Sequence, residues 1–151
     1  MAWILKTNKF VLDSAPELSM RSFTNEAALV WPSVRKLVQR GLYDTDLLDS
    51  NDVFAAIAEG RAVLFVGYVN DIPTTAAVIE LQQYPRGAVA EVISAAGQWH
   101  LFYSFIAFVK VWLRANNVKR LRCICRPAQA RLFTRLTEFK STGRQILEIN
   151  F

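Results

Sequence analysis

Hydrophobic residues recur along this chain with two different periods, and the change of period divides it. Leu29, Val30, Val34, Leu37 and Val38 return at helical spacing as far as Gly41, after Thr24-Asn25-Glu26 offers a helix start. Pro32 inside this run requires a break or an early-turn position. Asp49-Ser50-Asn51-Asp52 is a second start signal, followed by a short helix from Val53 to Glu59 that ends at Gly60. The period then shortens to two. Ala62 to Val69 reads as a strand, Asn70-Asp71-Ile72-Pro73 as a turn, and Thr74 to Leu81 as a second strand. Tyr84-Pro85-Arg86-Gly87 turns the chain again into a third strand, Ala88 to Ser94. Two tight connections in succession predict an antiparallel meander.

On either side of the meander the pattern is plainer. Residues 2–12 alternate weakly and predict a first strand, broken by Asp13-Ser14-Ala15-Pro16. From Trp99 to Arg114 the chain is apolar nearly all round, which predicts a central helix covered on most sides. Asn116-Asn117 ends it, Lys119 to Arg126 reads as a fourth strand, Pro127 opens a helix through Phe139, and Arg144 to Phe151 is a last strand. The order β-α-α-β-β-β-α-β-α-β predicts an α/β fold (α+β in its antiparallel half). In it, a mixed sheet has a meander followed by βαβ units, within one domain spanning 1–151.

Composition narrows the classes. The chain is 52% hydrophobic and 21% charged, enough apolar surface to offset the ordering of the backbone. No apolar run reaches the roughly 18 residues of a membrane span. The start, Met1-Ala-Trp-Ile-Leu-Lys, lacks the basic region and cleavage site of a signal peptide, so an intracellular location is expected. Charge is uneven: residues 1–75 carry seven Lys/Arg against nine Asp/Glu, residues 76–151 eleven against four, and between Lys110 and Arg144 ten basic residues meet one acid, Glu138. Such asymmetry suits a phosphate-bearing partner or an acidic protein surface, or else marks ordinary solvated faces. Cys123 and Cys125 stand two apart on a strand, on one face, a poor geometry for a disulfide, and are expected as buried reduced thiols on a central strand. With His100 as the one histidine, the usual Cys and His ligands cannot make a four-ligand zinc site, and no metal is expected. Walker, Ser-His-Asp and HExxH patterns are missing. Nucleic-acid binding rests on charge alone, because the aromatics of 102–139 fall on apolar helix faces.

The element order, three meander strands, a long helix, a parallel strand, a short helix and a final strand, resembles the GNAT acyltransferases, which use acyl-coenzyme A. The resemblance covers residues 23–151. The segment from Ala130 to Phe139 is similar to that family's last helix, Ala-x-x-Leu-Tyr-x-x-x-Gly-Phe: Ala130, Phe133 and Phe139 fit, Thr134 stands where the family often has a tyrosine acid, and Glu138 replaces the glycine. Trp31-Pro32, the acidic turn before the helix of Asp49 to Gly60, Tyr84-Pro85, and Ala96-Gly97 ahead of Trp99 resemble compact GNAT-like proteins encoded by tailed bacteriophages.

What this implies is a gap between two parallel strands, in which the pantetheine arm of acetyl-coenzyme A pairs like an added strand beside Ala88–Ser94. The pyrophosphate then rests on a turn made by Ser94, Ala95, Ala96, Gly97, Gln98 and Trp99, at the start of the following helix. Of the family's Gln/Arg-x-x-Gly-x-Gly/Ala loop only Gly97 matches. Arg126 and Arg131 are placed to reach the phosphates or else to face water. Glu91 is the candidate for accepting a proton from an amine, its other reading being a solvent-facing alternation partner of Val89 and Val92. His100 is open to the same choice between phosphate or proton transfer and a plain structural place. Two classes of function follow. One is an N-acetyltransferase acting in the cytoplasm of an infected host cell. The other is a non-catalytic binding or structural component of a phage virion whose basic face, Arg126, Arg131, Arg135 and Arg144, meets a host or virion protein.

Overall fold

In the computed structural model the described residues are 3–6, 9–12, 18–42, 48–98 and 101–123. They form strands β1 (Trp3–Lys6), β2 (Lys9–Leu12) and β3 (Leu18–Phe23), helices α1 (Ala27–Gly41) and α2 (Ser50–Ala58), and strands β4 (Ala62–Val69), β5 (Ile72–Tyr84) and β6 (Gly87–Gly97). Helix α3 (Phe102–Ala115) and strand β7 (Val118–Cys123) follow. All seven strands join one sheet in chain order. Every neighbouring pair is antiparallel except β6 and β7, which run parallel across the α3 crossover. This is the mixed α+β architecture the order of elements predicts. The expected last helix and last strand, 127–139 and 144–151, lie outside the described residues.

The sheet separates two cores, and strand alternation decides which residue joins which. On β4, Ala62, Leu64 and Val66 face α1 and α2 with Val34, Val38, Val53 and Ile57. Val63 and Phe65 face α3 with Phe105, Phe108, Val109 and Leu113. The β4–β5 hairpin turns on Asn70 and Asp71, both at positive φ (49° and 65°), the pairing whose twist matches that of the strands. Asp49 makes a full capping box on α2: its Oδ1 accepts from the backbone N–H of Asn51 and Asp52, while Asp52 Oδ2 accepts from the N–H of Asp49. The backbone donors hold the Asp49 carboxyl below its ordinary pKa.

Several expectations are corrected. Residues 3–12 are two short strands rather than one, and Leu18–Phe23 is a strand the pattern did not predict. Pro32 neither breaks α1 nor sits in its first turn; it lies inside the helix at an exposed position. Glu26, at the start of α1, gives no side-chain cap. Helix α3 buries one face rather than most of its circumference, with Tyr103 68% exposed on the other. Cys123 is partly buried against the α3-side core, so it is not the fully enclosed thiol expected; Cys125 lies outside the described residues.

Candidate functional site

The middle of β6 holds an irregularity from which the rest of the site follows. Val78 on β5 pairs with Ser94 while the next residue, Ile79, pairs with Val92, so Ile93 has no partner across the strand. This is a β-bulge, two residues on one strand opposite one on the other. Alternation is interrupted there. Ala90 and Val92 face α3, whereas Ile93 packs in the α1–α2 core and Ser94 on the same side donates its Oγ–H to the Val38 carbonyl at 2.7 Å. Bulges bend a strand and increase its twist.

The consequence shows on the other edge of β6. Among the described residues its parallel ladder with β7 runs from Ala88–Val118 to Val92–Cys123, the last described residue of that strand. Beyond Val92, β6 continues to Gly97, paired with β5 alone except where Leu42 bridges Ser94. Among the described residues the edge of Ala95–Gly97 has no ladder partner, so the described sheet forks here. The end of α1 stands over it. A Cβ on Gly41 would lie 2.6 Å from the Ala95 carbonyl carbon, so only glycine lets the helix come this near. On the α3 side, Val92, Ala95, Phe102, Ile106 and Cys123 line a small, wholly apolar cleft beside the fork.

The predicted site residues fall as follows. Ala95, Ala96 and Gly97 are not in a turn: β6 runs three residues past Ser94, pairing them with Ala77, Ala76 and Thr75. Gly97 has φ +143°, and a Cβ there would sit 2.5 Å from the Thr74 carbonyl oxygen. Its glycine is required by contact with β5, a tertiary reason in place of the expected approach to phosphate. The strand-to-helix turn comes later, from exposed Gln98 to Leu101, closed by the Leu101 N–H donating to the Gln98 carbonyl at 3.1 Å. Trp99, His100, Arg126 and Arg131 lie outside the described residues. Leu101 gives α3 no side-chain cap, at the end of the helix where the dipole is positive.

Glu91 stands on the opposite face from α3, in the last but one pair of the parallel ladder. Its Oε2 accepts from Arg122 Nη2 at 3.2 Å, with the Glu91 side chain 18% exposed and that of Arg122 50%. Arg122 Nη2 also donates to Gln82 Oε1 at 3.0 Å, and Gln82 accepts in turn from the Tyr84 hydroxyl at 3.2 Å. Arg122 and Gln82 were not anticipated. Their signal is in the register, because residues opposite one another on three strands share a face. Among the described residues no three His, Cys, Asp or Glu side chains come together as metal ligands, and no helix is long and apolar enough to cross a membrane.

No protein-family model and no curated protein sequence matches this chain, but solved structures do. An aminoglycoside acetyltransferase from an uncultured soil metagenomic sample, in complex with sisomicin, superposes with a TM-score of 0.67 at 11% identity, covering 89% of this chain and 95% of that one. An aminoglycoside N-acetyltransferase in complex with CoA gives 0.65 at 15% identity, covering 92% and 98%. The ribosomal-protein-alanine N-acetyltransferase of Brucella melitensis biovar Abortus 2308 gives 0.64 at 10%, covering 89% and 99%. These likenesses, at 10–15% identity, show the fold: the chain has the fold of the GNAT acetyltransferases.

Proposed function

We propose that this chain is an acyl-coenzyme A-dependent N-acyltransferase. The observation that carries the reading is the fork among the described residues: beyond the bulge the backbone edge of Ala95–Gly97 has no ladder partner there, beside a parallel pair of strands and an apolar cleft. Such an edge accepts an extended polyamide arm as it would another strand. The start of α3, which has no side-chain cap, follows the end of β6 and suits a pyrophosphate, since the helix dipole favours negative charge there. Ala95, Ala96 and Gly97 then offer backbone to the arm, and the first turn of α3 faces the phosphates. Acyl-coenzyme A, when bound, supplies the activated thioester. The chain's part is to fix that donor against β6 and to take a proton from the attacking amine, a role for Glu91, the one carboxylate on β6.

The test is a thermal shift with acetyl-coenzyme A and with coenzyme A. Ligand at about 100 times its Kd adds roughly 2.7 kcal/mol, which moves the Tm of a chain this size by about 5 °C or more. No shift at millimolar ligand overturns the reading. A second reading then leads, a GNAT-shaped protein that binds a partner without catalysis, as a virion component would. What favours it is the Leu42–Ser94 bridge, by which α1 already occupies one position on the fork's edge.

A further inference from the structure

We propose that the acceptor of this chain is an amine that also carries a phosphate group, held on the face of β5, β6 and β7 away from α3. This rests on the reading of Glu91 as the group that takes the amine's proton. Strand β7 shows how the face is made. Val118 and Leu121 both pack against the α3-side core although they are three residues apart. They can do so because Lys119 is an extra residue between the Ala88–Val118 and Val89–Arg120 pairs, and such a bulge re-aims side chains. Both apolar residues therefore stay inside, while Lys119, Arg120 and Arg122 are all exposed.

Rows of paired residues across the three strands separate the charges on this face. Glu80 stands opposite Glu91, and Glu91 opposite Arg122. Two carboxylates facing each other across strands repel. Arg122 pairs with Glu91, which leaves one negative charge in the row for an ammonium group to meet. The next row toward the β5–β6 turn is Gln82, Val89 and Arg120, and after it come Tyr84 and Gly87. A Cβ on Gly87 would lie 2.9 Å from Lys119 Cγ, so the Lys119 chain crosses the place that this glycine leaves open, on the side of Tyr84. Arg120 is thus one row, or about 7 Å of strand, from the carboxylates, with Lys119 beyond it. A guanidinium fork beside an ammonium suits a phosphate dianion. The face has carboxylates toward the β6 bulge and cations toward the turn, and it fits a substrate with its amine at one end and its phosphate at the other.

The test measures binding to the full chain by calorimetry, with coenzyme A present so that its own phosphate site is filled. The probes are 3-aminopropyl phosphate, 3-aminopropanol, 1,3-diaminopropane and 4-aminobutyrate. The wild type is expected to bind aminopropyl phosphate at least about tenfold more tightly than aminopropanol, and this preference should shrink as salt is raised. Arg120→Glu and Lys119→Glu, both at exposed positions, should each bring those two Kd values within about twofold of one another. Aminopropanol should keep its wild-type Kd in both variants, and the Tm should stay within about 2 °C. Equal wild-type affinity for aminopropyl phosphate and aminopropanol overturns the proposal, as does no binding of the phosphate compound or a preference for diaminopropane. A preference that survives both variants puts the phosphate elsewhere and overturns the site. Binding of 4-aminobutyrate as tight as that of the phosphate compound overturns the phosphate class. The underlying reading fails separately: if the wild type gives no thermal shift with acetyl-coenzyme A at millimolar concentration, the acyltransferase falls and the acceptor site with it.

Discussion

Among the described residues, strand β6 is hydrogen-bonded on both edges from Ala88 to Val92, to β5 and to β7; from Ser94 to Gly97, β5 alone holds it in a ladder and the other edge meets Leu42 at one point. Both halves are largely buried, the lower built of Ala, Val and Glu91 and the upper of Ser, Ala and Gly. They differ because one extra residue, Ile93, turns the strand between them. The lower half is fixed by its neighbours in the sheet. The upper half is fixed from above and below instead, by α1 through Gly41 and the Ser94 hydroxyl and by α3 through Phe105.

The largest effect that would break this comparison is at Phe105. It is 1% exposed, lies against Gly67 and lines the same cleft as Val92 and Ala95. Phe105→Ala is expected to cost about 3–5 kcal/mol in urea unfolding, and the loss should be felt in both halves because α3 packs across the junction. A cost below about 1 kcal/mol would mean that α3 does not support the sheet. Next comes Gly41→Ala, which drives a Cβ into the Ala95 backbone. Forcing α1 outward is expected to cost about 1–3 kcal/mol, and amide exchange should accelerate at 94–97 while 88–92 keeps its protection. Equal acceleration in both halves would show that they are one cooperative unit, not two.

The difference between the halves was only partly visible in the sequence. Val69-Asn70-Asp71-Ile72 carries its hairpin locally, in two residues that tolerate positive φ, and β4 was accordingly legible to the residue. Ala95-Ala96-Gly97-Gln98 reads locally as a turn, being small, polar at its end and rich in backbone freedom. It is strand because Thr75, Ala76 and Ala77 of β5 continue opposite it, a long-range fact with no local mark. Leu18–Phe23 was missed for a related reason: Ser19 and Ser22 blur the alternation, yet Ser19 is 2% exposed because β4 lies beside it. The expectation of a gap between parallel strands came from the family resemblance; that Arg122 reaches both Glu91 and Gln82 came only with the register.

A smaller effect sharpens the role of α1. Ser94→Ala removes a buried hydroxyl and its 2.7 Å hydrogen bond to Val38, while that carbonyl is on the last full turns of α1. The expected cost is about 1 kcal/mol, less than that of Gly41→Ala, with no change in exchange at 88–92. If it costs more than Gly41→Ala, the hydroxyl and not the close backbone approach is what seats the helix over the fork.

The smallest effect concerns α2, which shares the α1 side of the sheet but touches neither half of β6 through its cap. The Asp49 carboxyl is held below its ordinary pKa by the N–H groups of Asp52 and Asn51. A carboxyl whose folded value is depressed stabilises the protein above its unfolded pKa of 3.8 and loses that contribution as pH falls through the folded value. Between neutral pH and about pH 5 the cap is therefore constant, and its loss is confined to more acid solution. Asp49→Asn keeps an oxygen for the same N–H groups but has no charge to protonate. The wild type should be the more stable at neutral pH, and the gap between the two should close as pH falls below 3.8. Exchange at 94–97 in the variant should match wild type at every pH. If those amides loosen with the cap, α2 and the fork are coupled through α1, by way of the Ser50 N–H that donates to Gln39 at 2.9 Å, and the upper half of β6 depends on more of the molecule than its two facing helices.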